Sequence, residues 1–283
     1  MELAALPFYR ERLGRDGRPE PWDLLALQEF AARTGDPYGG RLAPGAEPVF
    51  SLQIEASEDE PLWIGLSRAE LAAWSRGLER LLRLLALRAG EALAFFDFGS
   101  SPLVLLSSGN HAAHLGRGAA DRLGLTTICN DGLASLVGRM TEIVRLVRPA
   151  GLVLRRDVLA PLAEALRVVG LELAETCRFV AVTEAEDAPS RSETERYAAA
   201  WRVPVHRVLR ADAAYLIGLA LHGSDEFLVD PALHTIETLA DGELAASARF
   251  ARSCPAVRYR LGPGAVASGR DASGRRWLRI TRA

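Results

Sequence analysis

The chain has 283 residues, of which 49% are hydrophobic, so it can bury a sizeable core as one large domain or two smaller ones. Its formal net charge of −2 gives no overall attraction for nucleic acid or an anionic membrane, and we expect neither as a partner. All 34 basic residues are arginine. This excludes any site that needs a lysine, such as a Walker phosphate loop or a Schiff base.

The cysteines and the N-terminus bear on the compartment. Cys129, Cys177 and Cys254 are widely spaced, odd in number and form no C-x-x-C pair. This pattern favours buried free thiols in a reducing compartment. The N-terminus lacks a basic segment followed by an apolar one, and no uncharged apolar run is long enough to cross a bilayer. We therefore predict a cytoplasmic protein.

Prolines and glycines, which interrupt helices and strands, are spread through the first 50 residues. Leu6–Arg12 is typical of the end of a short helix, and a second helix is predicted over Trp22–Arg33, with Asp23 near its start. The loop of residues 35–48 follows. No linker in this stretch is long enough to make it a separate domain.

Two short strands are predicted next, Val49–Ile54 and Pro61–Gly65, and they favour a hairpin. The turn between them, Glu55–Glu60, is acidic, and its carboxylates repel one another, so we expect them to point into water. A calcium site is the alternative, but the alternating D-x-D-x-D-G spacing is absent.

A capping box follows the hairpin. The Ser67 hydroxyl can accept from the amide of the third helical residue, while Glu70 reaches back to the start of the helix. The helix is predicted to run to Arg88. A stripe of apolar residues at helical spacing should face the core: Leu71, Trp74, Leu78, Leu81, Leu82 and Leu85.

The stretch from Ala89 to Gly170 alternates strands with helical patterns, which indicates βαβ units and a parallel sheet. The loop Gly99–Gly109 separates the first strand from a helix with His111 and His114 in its first turns. The next two helices are predicted to end before Pro149 and to begin at Asp157. The predicted strands are Ala92–Phe98, Leu125–Cys129 and Gly151–Arg155.

After Gly170 the pattern predicts a strand at Arg178–Thr183, a helix that starts in a second capping box at Ser192–Glu195, and a strand at Val205–Leu209. From Ala213 short strands with turn signals at Asp241–Gly242 and Ser273–Gly274 predict an antiparallel subdomain. The fold class is therefore α/β, a layered and mainly parallel sheet with flanking helices, in residues 1–212. A small β-rich subdomain occupies residues 213–283. Its predicted strands are Phe227–Val229, Thr235–Leu239, Leu244–Arg249, Val257–Arg260 and Trp277–Thr281.

Candidate ligand-binding residues follow two of the predicted strands. Ligands of open α/β sheets bind at the carboxyl ends of the strands, where the loop Ser107–Asn110 and Asp131 would lie. Ser107, Ser108 and Asn110 could present hydroxyls and amides to a carboxylate or phosphate, or serve as a serine-rich helix cap.

The histidines leave two interpretations open. His111 and His114 could bind a metal with Cys129 or Asp131 as third ligand, or form a locally hydrogen-bonded pair, and the second interpretation is favoured. We predict no metal. A serine nucleophile beside His111 lacks the G-x-S-x-G elbow, and Cys129 at a strand end is more typical of a buried thiol than of a reactive one.

Six short segments are weak evidence for a family one by one, but their order and spacing along the chain are informative. They are Leu6–Arg10 (LPFYR), Gly65–Leu71 (GLSRAEL), Ala120–Ile128 (ADRLGLTTI), Trp201–His206 (WRVPVH), Asp241–Leu244 (DGEL) and Cys254–Gly262 (CPAVRYRLG). Together they resemble the N-terminal domain of the phenylacetate–CoA ligase branch of the adenylate-forming (acyl/aryl-CoA ligase) superfamily. The resemblance implies that fold, and an acyl pocket near the loop after the first parallel strand. It also matches Arg258 and Arg260 to two family arginines, for which we expect structural pairing with carboxylates.

The departures from the family pattern concern ATP. The resemblance places a glycine-rich phosphate loop where this chain has the acidic Glu55–Glu60, and a ribose-binding aspartate at Pro263. The motif that supplies an aromatic residue for adenine and a glutamate for the metal falls at Leu209–Ala213, where its tyrosine, glycine and glutamate are missing. Asp212 is the neighbouring candidate for a metal ligand. The family's C-terminal lid, with its lysine, is expected to be absent. We therefore expect ATP and magnesium binding to be lost and no other cofactor to be used.

These observations lead to two functional expectations. The first is a binding or accessory protein that retains a pocket for a small carboxylic or aromatic acid, or that pairs with a complete enzyme or a second copy. The alternative is an enzyme of altered chemistry that uses Ser107, Asn110, His111 and Asp131.

Overall fold

The structure, a computed structural model, describes residues 2–54, 62–108, 114–271 and 273–282. The acidic turn Glu55–Glu60, Asn110 and His111 lie outside the described residues. The chain separates into two compact units. The first contains Met1–Trp74, Ala211–Leu216 and Val229–Ala283, and the second contains Ser75–Arg210 and Ile217–Leu228. The domain boundary at residues 212 and 213 stays a prediction.

The described residues form eight α-helices: α1 (Pro7–Arg10), α2 (Leu24–Thr34), α3 (Arg68–Leu82), α4 (Pro102–Ser107), α5 (Ala119–Arg122), α6 (Val137–Val147), α7 (Leu159–Val169) and α8 (Arg191–Trp201). The same residues form thirteen strands: β1 (Phe50–Ile54), β2 (Leu62–Leu66), β3 (Ala92–Phe96), β4 (Thr126–Asn130), β5 (Gly151–Arg155), β6 (Phe179–Thr183), β7 (Val205–Ala211), β8 (Leu216–Ala220), β9 (Glu226–Val229), β10 (His234–Thr238), β11 (Glu243–Ala248), β12 (Tyr259–Arg270) and β13 (Arg276–Arg282).

The first unit is built from antiparallel strands and the N-terminal helices. Strands β1 and β2 pair antiparallel from Phe50 opposite Leu66 to Ile54 opposite Leu62, as the predicted hairpin requires. Strands β10 to β13 lie in sequence order and pair antiparallel. Asp23 caps α2 by accepting a hydrogen bond from the Ala26 amide at 2.9 Å. The predicted β-rich C-terminal region is confirmed.

The second unit has the strand order β9-β8-β7-β6-β5-β3-β4, and β4, β3, β5, β6 and β7 pair parallel with one another. Because side chains alternate along a strand, the two faces of this sheet have different partners. One face packs against α6, α7 and α8 through an apolar cluster that includes Phe96, Leu154, Val182 and Trp201. The other face contributes Phe95 and Val153 to a cavity with leucines of α3 and α4. The predicted α/β fold class is confirmed.

Two predictions around the first parallel strand were wrong. The segment Gly99–Gly109 is not a loop throughout, because Pro102–Ser107 forms α4. Ser101 caps this helix by accepting from the Val104 amide, and proline at the first helical position suits the fixed φ angle of that residue. His114 lies in a turn and not in a helix, since the next helix, α5, begins at Ala119.

Two helix boundaries also differ from the prediction. The helix after Glu70 ends at Leu82 and continues as a 3₁₀ turn over Arg83–Leu85, so it does not reach Arg88. The predicted core stripe on it is nonetheless buried. Helix α8 is capped by Ser190, which accepts from the Glu193 amide at 3.2 Å, and Ser192 lies inside the helix.

The sequence pattern missed strand β8 and the length of β12, which extends to Arg270. Among the described residues, no helix combines the length and the apolar character needed to cross a bilayer.

Candidate functional site

The carboxyl edge of the parallel strands contains the point where the chain changes direction. Strand β3 lies between β4 and β5. The connection after β3 leads to one side, and the connection after β5 leads to the other side, towards β6. Ligands of open α/β sheets bind outside the carboxyl ends of strands at such a point.

A buried ion pair lies at this edge. Asp97 directly follows β3 and Arg210 lies near the end of β7, and an oxygen of the Asp97 carboxylate is 3.6 Å from the Arg210 Nη1 atom. Both side chains are almost fully buried. The Asp97 Oδ1 atom accepts the Phe98 amide at 2.8 Å, but Oδ2 accepts no hydrogen bond from a described residue. A buried carboxylate with one unsatisfied oxygen is costly, so this position suits an additional donor.

Two further polar residues end the neighbouring strands. Thr183, the last residue of β6, is fully buried, and its hydroxyl has no hydrogen-bond partner among the described residues. Arg155, the last residue of β5, contacts Asp157 at 3.1 Å and lies over the Phe98 ring at 4.2 Å. In the parallel register Arg155 stands opposite Thr183. Side chains in register point to the same face of the sheet, so these two groups are neighbours at its edge.

A small apolar cavity adjoins this face. Its volume is about 30 Å³, above the roughly 10–15 Å³ that one water molecule needs. Leucines of α3, Phe95, Val153 and Ala181 line it, together with Ser107. The Ser107 hydroxyl is buried and has no hydrogen-bond partner among the described residues. The cavity can therefore take a small apolar group beside a single hydroxyl.

The residues predicted from the sequence are distributed over different environments. Ser107 ends α4 and Ser108 is its buried C-cap residue. His114 and Asp131 are exposed, and Asp212 is buried in the first unit. Among the described residues, no three histidine, cysteine or acidic side chains come together in a way that could hold a metal ion.

The sequence analysis missed Asp97, Thr183 and Arg210. The available signal was their position, because each lies within one residue of the end of an apolar strand, where a buried polar residue is unusual.

The three cysteines are free thiols; Cys177 and Cys254 are buried as predicted, whereas Cys129 is only partly buried. Burial, together with the charge of Asp121, raises the pKa of Cys129 to about 11. Burial also raises the pKa of Cys177 to about 11. Both side chains are therefore protonated at neutral pH and are poor nucleophiles.

Comparison with solved structures finds the same architecture elsewhere. An open form of 2-hydroxyisobutyryl-CoA ligase, in complex with 2-HIB-AMP and CoA, has a TM-score of 0.74 and 17% identity over 99% of this chain and 70% of that chain. The acyl-CoA synthetase (AMP-forming)/AMP-acid ligase II-like protein from Dyadobacter fermentans has a TM-score of 0.53 and 14% identity, covering 93% of this chain and 70% of its own. The chain has the adenylate-forming acyl-CoA ligase fold.

Another structure with the acyl-CoA ligase fold is the O-succinylbenzoate CoA synthetase from Bacillus subtilis, with a TM-score of 0.52 and 12% identity over 85% of this chain and 50% of that one. At these identities the likeness shows the fold and no more. The chain spans 63% to 70% of the length of the 2-hydroxyisobutyryl-CoA ligase structures. No family model and no curated protein matches the sequence.

Two positions that the resemblance assigns to a nucleotide, Ala213 and Pro263, lie in the first unit and can be compared with the needs of ATP. Ala213 is buried, and its carbonyl accepts from the fully buried Arg41 at 2.9 Å. Pro263 stands in the β12 ladder opposite Glu243 and has no side-chain acceptor for a ribose hydroxyl. These residues do not supply the groups that the resemblance requires for ATP.

The two arginines matched to the family are engaged in structural pairs. Arg258 contacts Glu237 at 2.8 Å, and Arg260 contacts Asp241 at 2.9 Å and also Glu243. The predicted pairing with carboxylates is confirmed.

Proposed function

We propose that this chain binds a small carboxylic or aromatic acid at the carboxyl edge of its parallel sheet and does not by itself activate that acid with ATP. The observation that carries the proposal is the buried hydroxyl of Thr183, without a described partner, at the same sheet edge as the incompletely satisfied Asp97 carboxylate. Unsatisfied buried polar groups in a native structure mark places where a ligand or water completes the hydrogen bonding. Here they lie at the edge where sheets of this kind bind ligands.

The chemistry of this edge suits an acid with a small apolar group. The Thr183 hydroxyl can donate to a carboxylate. The positively charged Arg155 guanidinium, in register with Thr183, can also attract the carboxylate. Asp97 can accept from a hydroxyl or amine on the ligand. The apolar cavity beside Ser107 can take a methyl or similar group.

The lack of ATP chemistry is proposed from the residues present. Adenylation needs preorganised positive charge and donors where negative charge develops on the transferred phosphate. The chain has no lysine, and the positions assigned to the ribose and the metal are proline and alanine. Asp212, the neighbouring candidate for a metal ligand, is buried in the first unit.

Isothermal calorimetry tests both parts of the proposal. We expect heat from at least one acid in a set of benzoate, phenylacetate and 2-hydroxyisobutyrate, and none from ATP with Mg²⁺. Thr183→Val keeps the shape of the side chain and removes its hydroxyl, so it should weaken acid binding about 3- to 10-fold. Thr126→Val is the matched control, because Thr126 is exposed at the opposite end of its parallel strand.

Micromolar binding of ATP with release of pyrophosphate would overturn the second half of the proposal. The absence of heat from all three acids, or equal acid binding by the two threonine variants, would overturn the first.

The alternative function, an enzyme of altered chemistry, gains no support from the described part of its residue set. Ser107 is buried beside the apolar cavity, whereas Asp131 is exposed. A protein partner or a homodimer stays a prediction.

A further inference from the structure

A larger concavity lies between α7 and α8, on the face of the sheet opposite the small apolar cavity. Its volume is about 430 Å³, within the range of roughly 300–1,000 Å³ that is usual for small-molecule sites. It exists because the two helices face each other here with small residues, among them Ala163 and Ala200. No residue of the proposed acid site lines it.

The wall of this groove combines aromatic surface with unpaired donors. The rings of Tyr197 and Trp201 lie 5.0 Å apart, tilted by 36°, and both side chains are more than nine-tenths buried. Neither the Tyr197 hydroxyl nor the Trp201 indole N–H makes a hydrogen bond with a described residue. Neither donor atom is among the buried unsatisfied atoms of the described chain, so both reach accessible space although the rest of each side chain is buried. The groove is the open space next to both.

The rim of the groove carries an arginine, Arg167, that can exchange its present partner for a ligand. Arg167 lines the groove and binds Glu164 one helical turn earlier at 2.6 Å, with side-chain exposures of 73% and 60%. Such an exposed pair within one helix is worth only a few tenths of a kcal/mol. A ligand with a hydrogen-bond acceptor can therefore bind the Arg167 guanidinium in place of Glu164 with little loss of free energy.

We propose that the groove between α7 and α8 is a second binding site, for a flat aromatic molecule that carries a hydrogen-bond acceptor. The aromatic wall and the alanines accept a flat ring system in the space between the helices. The Tyr197 hydroxyl, the Trp201 indole N–H and the Arg167 guanidinium then point to the acceptor. This arrangement offers an acceptor to two donors that make no hydrogen bond within the described chain.

The test uses 8-anilinonaphthalene-1-sulfonate, a flat aromatic sulfonate whose fluorescence rises when it leaves water. We expect saturable binding to the full chain with a micromolar dissociation constant. Ala200→Trp should fill the groove and reduce the affinity at least 10-fold. Ala199→Trp is the matched control, because Ala199 is the adjacent exposed residue of α8 and does not line the groove.

A second variant tests the donor. Trp201→Phe keeps an aromatic ring and removes the indole N–H, and it should weaken binding about 3- to 10-fold. Far-ultraviolet circular dichroism checks that all variants fold. The proposal is overturned if the wild-type chain shows no saturable binding up to millimolar probe. Equal affinities of the Ala199→Trp and Ala200→Trp variants, whether both bind or neither does, would also overturn it.

Discussion

Both oxygens of the Glu70 carboxylate accept hydrogen bonds from Ser253, although the two residues are 183 positions apart in the sequence. The Oε1 atom accepts the Ser253 amide at 2.7 Å, and the Oε2 atom accepts its hydroxyl at 2.6 Å. The Oε2 atom also accepts the Ser67 amide at 2.7 Å, which completes the capping box at the start of α3. One side chain therefore caps a helix and fixes a distant loop of the first unit.

Replacing this carboxylate should be costly. Glu70→Gln puts an amide NH₂ group among donors and removes charge-assisted hydrogen bonds, so we expect the free energy of unfolding to fall by about 2–3 kcal/mol. Glu29→Gln, at an exposed position of α2, is the control and should change it by less than about 0.5 kcal/mol. Urea denaturation at pH 7 measures both.

The same bonds give the contribution of Glu70 a defined pH dependence. Burial works to raise the pKa of Glu70, but the hydrogen bonds from Ser253, Ser67 and Arg252 outweigh it and hold the pKa below its ordinary value. The stabilisation is therefore fully present above the unfolded pKa of about 4.3 and is lost as pH falls through the lower folded pKa. The difference in stability between wild type and Glu70→Gln should shrink below pH 4, and a constant difference would contradict this.

Gly118 is expected to tolerate no side chain, for reasons of space. Its backbone is extended, but a Cβ atom there would lie 2.0 Å from the Ser107 carbonyl oxygen and 2.6 Å from the Ser108 amide nitrogen. Both neighbours are backbone atoms at the end of α4 and cannot rotate away. Gly118→Ala should therefore lower the free energy of unfolding by about 2–3 kcal/mol or more.

The control for Gly118 is another glycine. A Cβ at Gly138, inside α6, would meet nothing within 4 Å. Gly138→Ala should therefore stabilise the protein by about 0.5–1 kcal/mol through its higher helix propensity. Thermal denaturation of both variants measures the two effects, and a similar loss in both would mean that the contact at Gly118 is unimportant.

Local patterns predicted much of the fold, because they depend on residues close in sequence. The capping box at Ser67 and Glu70, the β1–β2 hairpin and the strand at Gly151–Arg155 all follow from short-range rules of capping, alternation and turn chemistry. Helix α4 was missed because its glycine- and serine-rich surroundings are typical of a loop. Its helix depends on Ser101 and Pro102, and all of its side chains are buried.

The candidate site was less accessible to prediction, because its pairs are distant in sequence. Asp97 and Arg210 come from different strands, and nothing near either residue in the sequence indicates the other. The groove between α7 and α8 depends likewise on how two helices pack, which a sequence period does not specify.

The cap of α8 shows how two serines with the same spacing can be distinguished. Ser190 and Ser192 both stand three residues before a glutamate, but Ser190 accepts the Glu193 amide, and the Glu193 carboxylate binds Arg156 at 2.8 Å. Ser190→Ala should cost about 1 kcal/mol of unfolding free energy, whereas Ser192→Ala should stay within about 0.5 kcal/mol. Urea denaturation of the two variants decides between the caps, and a larger loss for Ser192→Ala would contradict the structure.

His206 should make the protein less stable in mild acid. Its Nδ1 atom accepts the His222 backbone amide at 2.9 Å, and the ring is buried next to Phe179. Burial, with a smaller effect of His222, lowers the pKa of His206 from 6.5 to about 4. The unfolded chain takes up a proton near pH 6.5 while the folded chain does not, so the stabilisation is present above pH 6.5 and declines towards pH 4. The loss should approach roughly 3 kcal/mol at pH 4.

His206→Asn tests this directly, because an asparagine oxygen can still accept the amide but takes up no proton in this range. Urea denaturation at pH 7, 6, 5 and 4 should show a flatter decline for this variant than for the wild type. His222→Asn is the control. It keeps the backbone donor and removes only the smaller cause of the shift, so its decline should stay close to that of the wild type. Burial also lowers the pKa of His234 to about 4, which adds the same slope to all three proteins and cancels in the comparison. An unchanged slope in His206→Asn would mean that the acid sensitivity arises elsewhere.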